Sequence, residues 1–382
     1  MQWHTNLRLP EPAAAAQRRW RLGVDGDGRI ACLEPLDQAS RAAGADWQGD
    51  WLSPAGIDLQ INGGLGLPFP ELSEAQLPRL LELLELLWRD GVEAIAPTLV
   101  TCGVAALRQA LAVLAEARRQ HRPGRCRLLG AHLEGPFLAH ERRGAHPAEH
   151  LCAPSLEALH QRIDGFEDSI ALVTLAPELE GAEAVIERLN ALGVVVSLGH
   201  SAASEGQARR AYGQGVRMLT HTFNAMPGLH HRAPGPVGAL LGSPPVALGL
   251  IADGVHVAPA MAALLQRLHP QQVVLVSDAL APYGLPAGSY PWDERQIEVR
   301  AGSCRLPDGT LAGTTLTLLE GVSRLAGWTG DAGAAIAAAT VLPRYVLGET
   351  ATVEQWLLGQ PFNATLRWCA APGQPLAWRR NG

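Results

Sequence analysis

Residues 194–201 read VVVSLGHS, an apolar run without alternation that ends on a glycine and then a histidine. A strand apolar on both faces is covered on both faces, which is the habit of parallel sheets packed between helices. The same plan recurs in LLGAHLEGPF (128–137), RMLTHTF (217–223), ALGLIADGVH (247–256) and VVLVSDA (273–279). Each run is followed at once by a side chain able to do chemistry: Glu134, His221, His256 and Asp278, with His200 in the first.

Helical patterns fill the gaps. Residues 73–90 (SEAQLPRLLELLELLWRD) predict a helix closed by Gly91 in a C-cap position. VEAIAPTLV (92–100) follows as a strand, a helix is expected over about 104–120, and SIALVTLAPE (169–178) is another strand. GAEAVIERLNAL (181–192) predicts a helix ending at Gly193, with further helices over 204–213 and 259–268. Seven or eight βα units in series predict an α/β fold, a (β/α)₈ TIM-like barrel over residues 53–346. No GxGxxG follows an early strand, which argues against a dinucleotide-binding sheet. Residues 1–52 (LRLPEP, RRWRLGVDGDGRIACLEPL, DWQGDWLSPA) and 347–382 read instead as short strands broken by turns. They predict a small β-sandwich domain built from both ends of the chain.

Composition excludes several classes. The net charge of −6 gives no sign of a nucleic-acid partner. No charge-free apolar stretch approaches the ~20 residues that cross a bilayer, and the N-terminus lacks a signal peptide's apolar core. A cytoplasmic protein with no membrane partner is expected. The six cysteines are scattered without a CxxC pair and read as reduced core thiols. All 31 basic residues are arginine. That removes a Schiff-base lysine, a P-loop lysine and a lysine carbamate bridging two metals.

Barrel enzymes place their reactive groups at the C-terminal ends of the strands, where every polar cluster here falls. Glu134 after an apolar strand must be paired, ligated or solvated; an N-cap or ion-pair role is the ordinary alternative. With His200 and His221 it makes a His₂Glu set, a known combination for catalytic zinc with one position open to water. Asp278 either caps the next helix or transfers protons beside a metal that lowers a water's pKa. Arg232 and His256 are candidates for a phosphate, since arginine and histidine are the only cationic side chains available. His146 in RRGAHP is a loop histidine with no assignment from pattern alone. His230 and His231 are a weak metal signal, because adjacent residues point apart.

PAGIDLQINGG (54–64), HLEGPF (132–137), RGAHP (143–147), GHS (199–201), THTFNAMPGLHHRAPG (220–235), IADGVHV (251–257), SDALAP (277–282) and LAGTTLTL (311–318) resemble the N-acetylglucosamine-6-phosphate deacetylase family of the amidohydrolase superfamily. The resemblance implies a metal-bearing barrel in which Glu134, His200 and His221 bind one divalent ion per subunit. Zn²⁺ suits these ligands, and Fe²⁺, Co²⁺ or Mn²⁺ can occupy them. It implies Asp278 as general base and then acid, and His146 as the group polarising the acetyl carbonyl, with Ala145 beside it. Asn224, Ala225, Arg232 and His256 would hold the sugar phosphate, and Leu311, Ala312 and Gly313 would line the sugar. Arg232 would reach in from a neighbouring subunit, which implies a homodimer.

Two departures bear on the site. Many amidohydrolases carry His-x-His after the first strand; here the positions are Gln60 and Asn62, poor ligands for a second divalent ion, so a single metal is expected. Ala233 stands where the family usually has Glu. The expected reaction is hydrolysis of N-acetyl-D-glucosamine 6-phosphate to D-glucosamine 6-phosphate and acetate. An amidohydrolase acting on another N-acyl sugar phosphate or a cyclic amide, and a non-catalytic sugar-phosphate-binding relative, are the alternatives.

Overall fold

A computed structural model of the chain describes residues 1–10, 18–36, 44–370 and 373–381. Glu11 and Pro12 of the expected LRLPEP strand, and the final Gly382, fall outside them. Eight parallel strands form the barrel: β1 (Gly56–Ile61), β2 (Val92–Val100), β3 (Ala131–Glu134), β4 (Ile170–Leu175), β5 (Val195–Leu198), β6 (Val216–Leu219), β7 (Ala247–Leu250) and β8 (Val273–Leu275). Each pairs with the next in sequence. The ring closes where Ile61 bridges Ala279 and the Asp278 N–H donates to the Gln60 carbonyl at 2.9 Å.

The apolar run that opens LLGAHLEGPF is not one continuous strand. Arg127–Leu128 and Ala131–Glu134 pair separately, because Gly130 between them has φ +145. Helices cover the outside. In α1 (Leu77–Arg89) the buried Leu80, Leu83, Leu84 and Leu87 recur at the helical period and face the barrel. Truncating one of them, Leu84→Ala, removes a wholly buried side chain and costs about 2–5 kcal/mol. Gly199 is fixed by crowding: a Cβ there would sit 2.7 Å from atoms of Thr174 and Thr220 on the flanking strands.

The pattern assigned no elements to residues 283–346. There the chain makes an antiparallel sheet (Gly288–Trp292, Arg295–Arg300, Ser303–Arg305, Leu311–Thr314) and three further helices, Leu318–Thr329, Ala332–Thr340 and the short Leu342–Val346. The sheet's own apolar cluster, with Trp292, Ile297, Val299 and Leu306, packs on Ala145. It thereby roofs the loop that carries His146.

Both ends of the chain build the small β domain. Gln2–Leu7, Trp20–Val24, Ile30–Pro35 and Ala45–Asp46 form one sheet, and Trp51–Ser53 pairs with Leu366–Cys369 and Ala377–Arg380 in another. The segment after 347 is not wholly strand. It opens with the helix Val353–Leu357, whose Thr352 and Gln355 form a capping box and whose Val353 and Leu357 are buried one turn apart. Among the described residues no helix is long and apolar enough to cross a membrane.

Candidate active site

Parallel register sets the centre of the site. Leu198 on β5 pairs with Leu219 on β6, and His200 and His221 each follow two residues later, so the imidazoles stand at one height. Glu134 is the last residue of β3. His200, His221 and Asp278 have φ of +48°, +29° and +48°. Non-glycine residues in that region cost of order 1–3 kcal/mol each and gather at functional sites.

The Glu134 Oε1 lies 3.1 Å from the Nε2 of His200 and 3.1 Å from the Nε2 of His221, which are 3.0 Å from each other. Tetrahedral zinc with bonds near 2.0–2.1 Å spaces its ligand atoms by about 3.3 Å, so the triangle is of the right size. The chemistry of the donors agrees. The Nδ1 of His200 is 2.9 Å from the Arg142 carbonyl; a carbonyl only accepts, so Nδ1 carries the proton and Nε2 turns a lone pair inward. Lone pairs converging in a buried place call for a cation, and these three residues fit a divalent one. Beneath them lies a chain of hydroxyls, in which Thr174 meets His132 and Thr220 at 2.7 Å, and Ser197 meets Thr220 at 2.6 Å.

Asp278 stands beside the triangle. Its Oδ1 accepts from Asn62 Nδ2 at 2.7 Å and from Gln60 Nε2 at 3.2 Å, and the same Gln60 nitrogen is 3.1 Å from Glu134 Oε1. Burial, then the Glu134 charge, push the Asp278 carboxyl up to about 8. A divalent charge in the triangle acts in the opposite sense and favours the carboxylate. Burial works to raise Glu134 too, but the imidazoles of His200 and His221 outweigh it and hold that carboxyl well below the ordinary range.

His146 packs edge-on against His200, with ring centroids 4.4 Å apart. The Thr101 backbone N–H, which can only donate, lies 3.3 Å from its Nδ1, with the Thr101 hydroxyl at 2.9 Å. The proton therefore sits on Nε2. Burial and the neighbouring His200 push the ring's pKa down to about 3, so it is a neutral donor. His256 is held by Asp253, whose Oδ2 is 2.7 Å from its Nδ1 and whose Oδ1 takes the backbone N–H groups of Val255 and His256 at 2.8 Å.

Glu134, His146, His200, His221 and Asp278 are only 2–7 % exposed, at the floor of a cavity of about 930 Å³. Asn224, Ala225, His256, Leu311, Ala312 and Ala145 also line it. Gly313 does not. It backs the site, at a place where a Cβ would come within 2.6 Å of the Asp278 carbonyl oxygen. Arg232 is exposed and is not among the lining residues, so one chain does not bring it to the cavity. Pattern reading missed Thr101, Asp253 and the positive contribution of Gln60 and Asn62. Asp58, Gln60 and Asn62 recur with period two from a strand, the signal that all three face inward.

With this geometry in view, comparison with known proteins is decisive. The chain is 37% identical over 358 residues to the N-acetylglucosamine-6-phosphate deacetylase of Bos taurus, covering 90% of this chain and 86% of that one. The chain belongs to the N-acetylglucosamine-6-phosphate deacetylase family. The N-acetylgalactosamine-6-phosphate deacetylase of Escherichia coli O157:H7 is a relative at 36% over 324 residues, covering 84% of each chain. Among solved structures, the Mycobacterium smegmatis N-acetyl-D-glucosamine-6-phosphate deacetylase in complex with N-acetyl-D-glucosamine-6-phosphate superposes with a TM-score of 0.82 at 28% identity. It covers 96% of this chain and 94% of its own. No family model matches the chain. Glu134, His200 and His221 form a complete His₂Glu set, and the side-chain amides of Gln60 and Asn62 are engaged by carboxylates.

Proposed function

We propose that this chain hydrolyses the acetamide of N-acetyl-D-glucosamine 6-phosphate to D-glucosamine 6-phosphate and acetate. The convergence of Glu134, His200 and His221 on one point, flanked by Asp278 and His146, is the observation that carries it. A divalent cation would be held by the three, zinc being one that two imidazoles and a carboxylate suit, and would supply a water whose pKa falls toward about 7.

The protein's own groups do the rest. Asp278, ionised, takes a proton from the water as its oxygen adds to the acetyl carbon. His146, neutral with its proton on Nε2, donates to the carbonyl oxygen as charge develops there. Asp278 then returns the proton to nitrogen, the C–N bond breaks, and the amine and acetate leave. His256, steadied by Asp253, with Asn224 and the backbone of Ala225, binds the phosphate, and Arg232 joins them from the second subunit of a cytoplasmic homodimer. Leu311 and Ala312 line the sugar, with Gly313 behind them.

Acetate release from the phosphorylated sugar, with and without chelator, tests this directly. Turnover without metal would defeat it. The galactosamine epimer belongs in the same assay, because a relative equally similar to this chain bears that name; preference for it would change the sugar and leave the chemistry in place.

A further inference from the structure

The run SIALVTLAPE ends on a carboxylate that the chemistry above does not use. Glu178 lies three residues beyond the end of β4 at Leu175, and reaches the next loop of the barrel face. Its Oε2 accepts from the Ser201 hydroxyl at 2.7 Å and its Oε1 from the Ala202 backbone N–H at 2.5 Å. Ser201 Oγ also accepts from the Ala203 N–H at 3.0 Å, which leaves its hydrogen directed at Glu178.

These donors are the two residues that follow His200, whose backbone is in the left-handed region. Main-chain bonds also tie that turn, from the Ala139 N–H to the His200 carbonyl at 2.9 Å and from the Ser201 N–H to the Ala225 carbonyl at 3.0 Å, and the His200 Nδ1 meets the Arg142 carbonyl at 2.9 Å. The second joins the His200 turn to the turn after β6, where His221, Phe223 and Ala225 have φ of +29°, +80° and +50°. One carboxylate thus ties a pair of coupled turns that carry both donor imidazoles, His200 and His221. Helix capping does not explain it, since the following helix Glu205–Gly213 has its own capping box in Ser204 and Gln207.

We infer that Glu178 is a positioning residue for the metal site, fixing the strained turn that aims His200 and, through Ala225, the turn of His221. This rests on the reading that Glu134, His200 and His221 hold a divalent cation. Backbone in a sparsely populated region persists only while its surroundings over-determine it, and removing a partner that orients a ligand typically weakens metal binding 10–100-fold.

The test measures Zn²⁺ affinity of the full-length protein by competition with a chelating dye, without turnover, alongside thermal unfolding of the metal-free form. Glu178→Ala should bind zinc about tenfold or more weaker, and Ser201→Ala more weakly than wild type by a smaller factor. Glu178→Gln should recover most of the affinity, because its amide oxygen still accepts from Ala202. Wild-type zinc affinity in folded Glu178→Ala overturns the assignment, whatever its unfolding temperature. Should that variant not fold, wild-type affinity in Ser201→Ala does the same, and a weakened Ser201→Ala sustains it. Wild-type protein that binds no stoichiometric zinc would instead bring down the metal site itself.

Discussion

Asn62, the residue after the last of β1, donates to the Asp278 carboxylate at 2.7 Å. On the proposed mechanism the amide serves the proton carrier, Asp278. Its hydrogen bond lowers the Asp278 pKa against the burial that raises it. Asn62→Leu should therefore shift the acid limb of the kcat/KM profile to higher pH. It should also lower kcat about 10–100-fold, the equivalent of a hydrogen bond to a charged group. Metal content measured in parallel should be unchanged; loss of metal would mean that Asn62 acts on the triangle instead.

Asp278 itself makes the metal-free protein sensitive to pH. Its folded pKa of about 8 lies above the ordinary aspartate value of 3.8, so between those values the folded state binds the extra proton and stability falls as pH rises. His132 and His146, pushed down by burial to about 4 and about 3, work the other way, but only below the ordinary histidine value of 6.5. Asp58, raised by burial to about 7, adds to the Asp278 trend up to that point. From pH 6.5 to 8 the apo-protein should lose stability at up to about 1.4 kcal/mol per pH unit from Asp278. Apo Asp278→Asn should lack that component, and zinc-loaded wild type should lack it as well. Denaturant unfolding of the three across that window decides it; identical slopes would exclude a proton held on Asp278.

Asp278→Asn keeps the shape of the side chain and removes its basicity. Zinc should remain bound while kcat falls about 10²–10⁴-fold, the usual share of a positioned base. His146→Ala should lower kcat about 10²–10³-fold with little change in KM, as loss of an oxyanion donor does. Because His146 stays neutral down to about pH 3, no limb of the wild-type pH profile should disappear with it. A vanished limb would assign His146 a titrating role.

His256 is pinned by Asp253 through a 2.7 Å bond within one turn of loop. His256→Ala and the milder Asp253→Asn should raise KM for the phosphorylated sugar more than they lower kcat, because they remove binding common to substrate and transition state. Activity on unphosphorylated N-acetylglucosamine should change little. Equal losses on both sugars would detach this pair from the phosphate.

Much of the barrel was legible because its strands are buried on both faces and therefore read as unbroken apolar runs, as in VVVSLGHS and VEAIAPTLV. The residues that end those runs, Glu134, His200, His221 and Asp278, were legible for the same reason: a polar side chain there has no apolar neighbour to satisfy it. What escaped was set by register. Nothing local to Thr101 says that its N–H will meet His146, or to Glu178 that it will meet Ser201 and Ala202, since those distances follow from how neighbouring strands align. The antiparallel sheet over 288–314 was missed although RQIEVR alternates buried and exposed positions; its short strands offer too few residues for a firm period.

Arg232 poses the sharpest question about assembly: it is exposed on its own chain, and the proposed homodimer would bring it to the phosphate of the other. Assayed at substrate concentrations well below KM, Arg232→Ala alone and Asp278→Asn alone should each be nearly inactive. In a mixed dimer the subunit with intact Asp278 receives its arginine from the partner with intact Arg232, while the other site lacks both. Random reassociation makes half the dimers mixed, each with one good site of two, so about a quarter of wild-type activity should return. The mixture must be unfolded and refolded together, or co-expressed with two tags and purified through both. Activity that stays at the level of the single variants, in a preparation proven to contain mixed dimers, would place each arginine at its own subunit's site or at none.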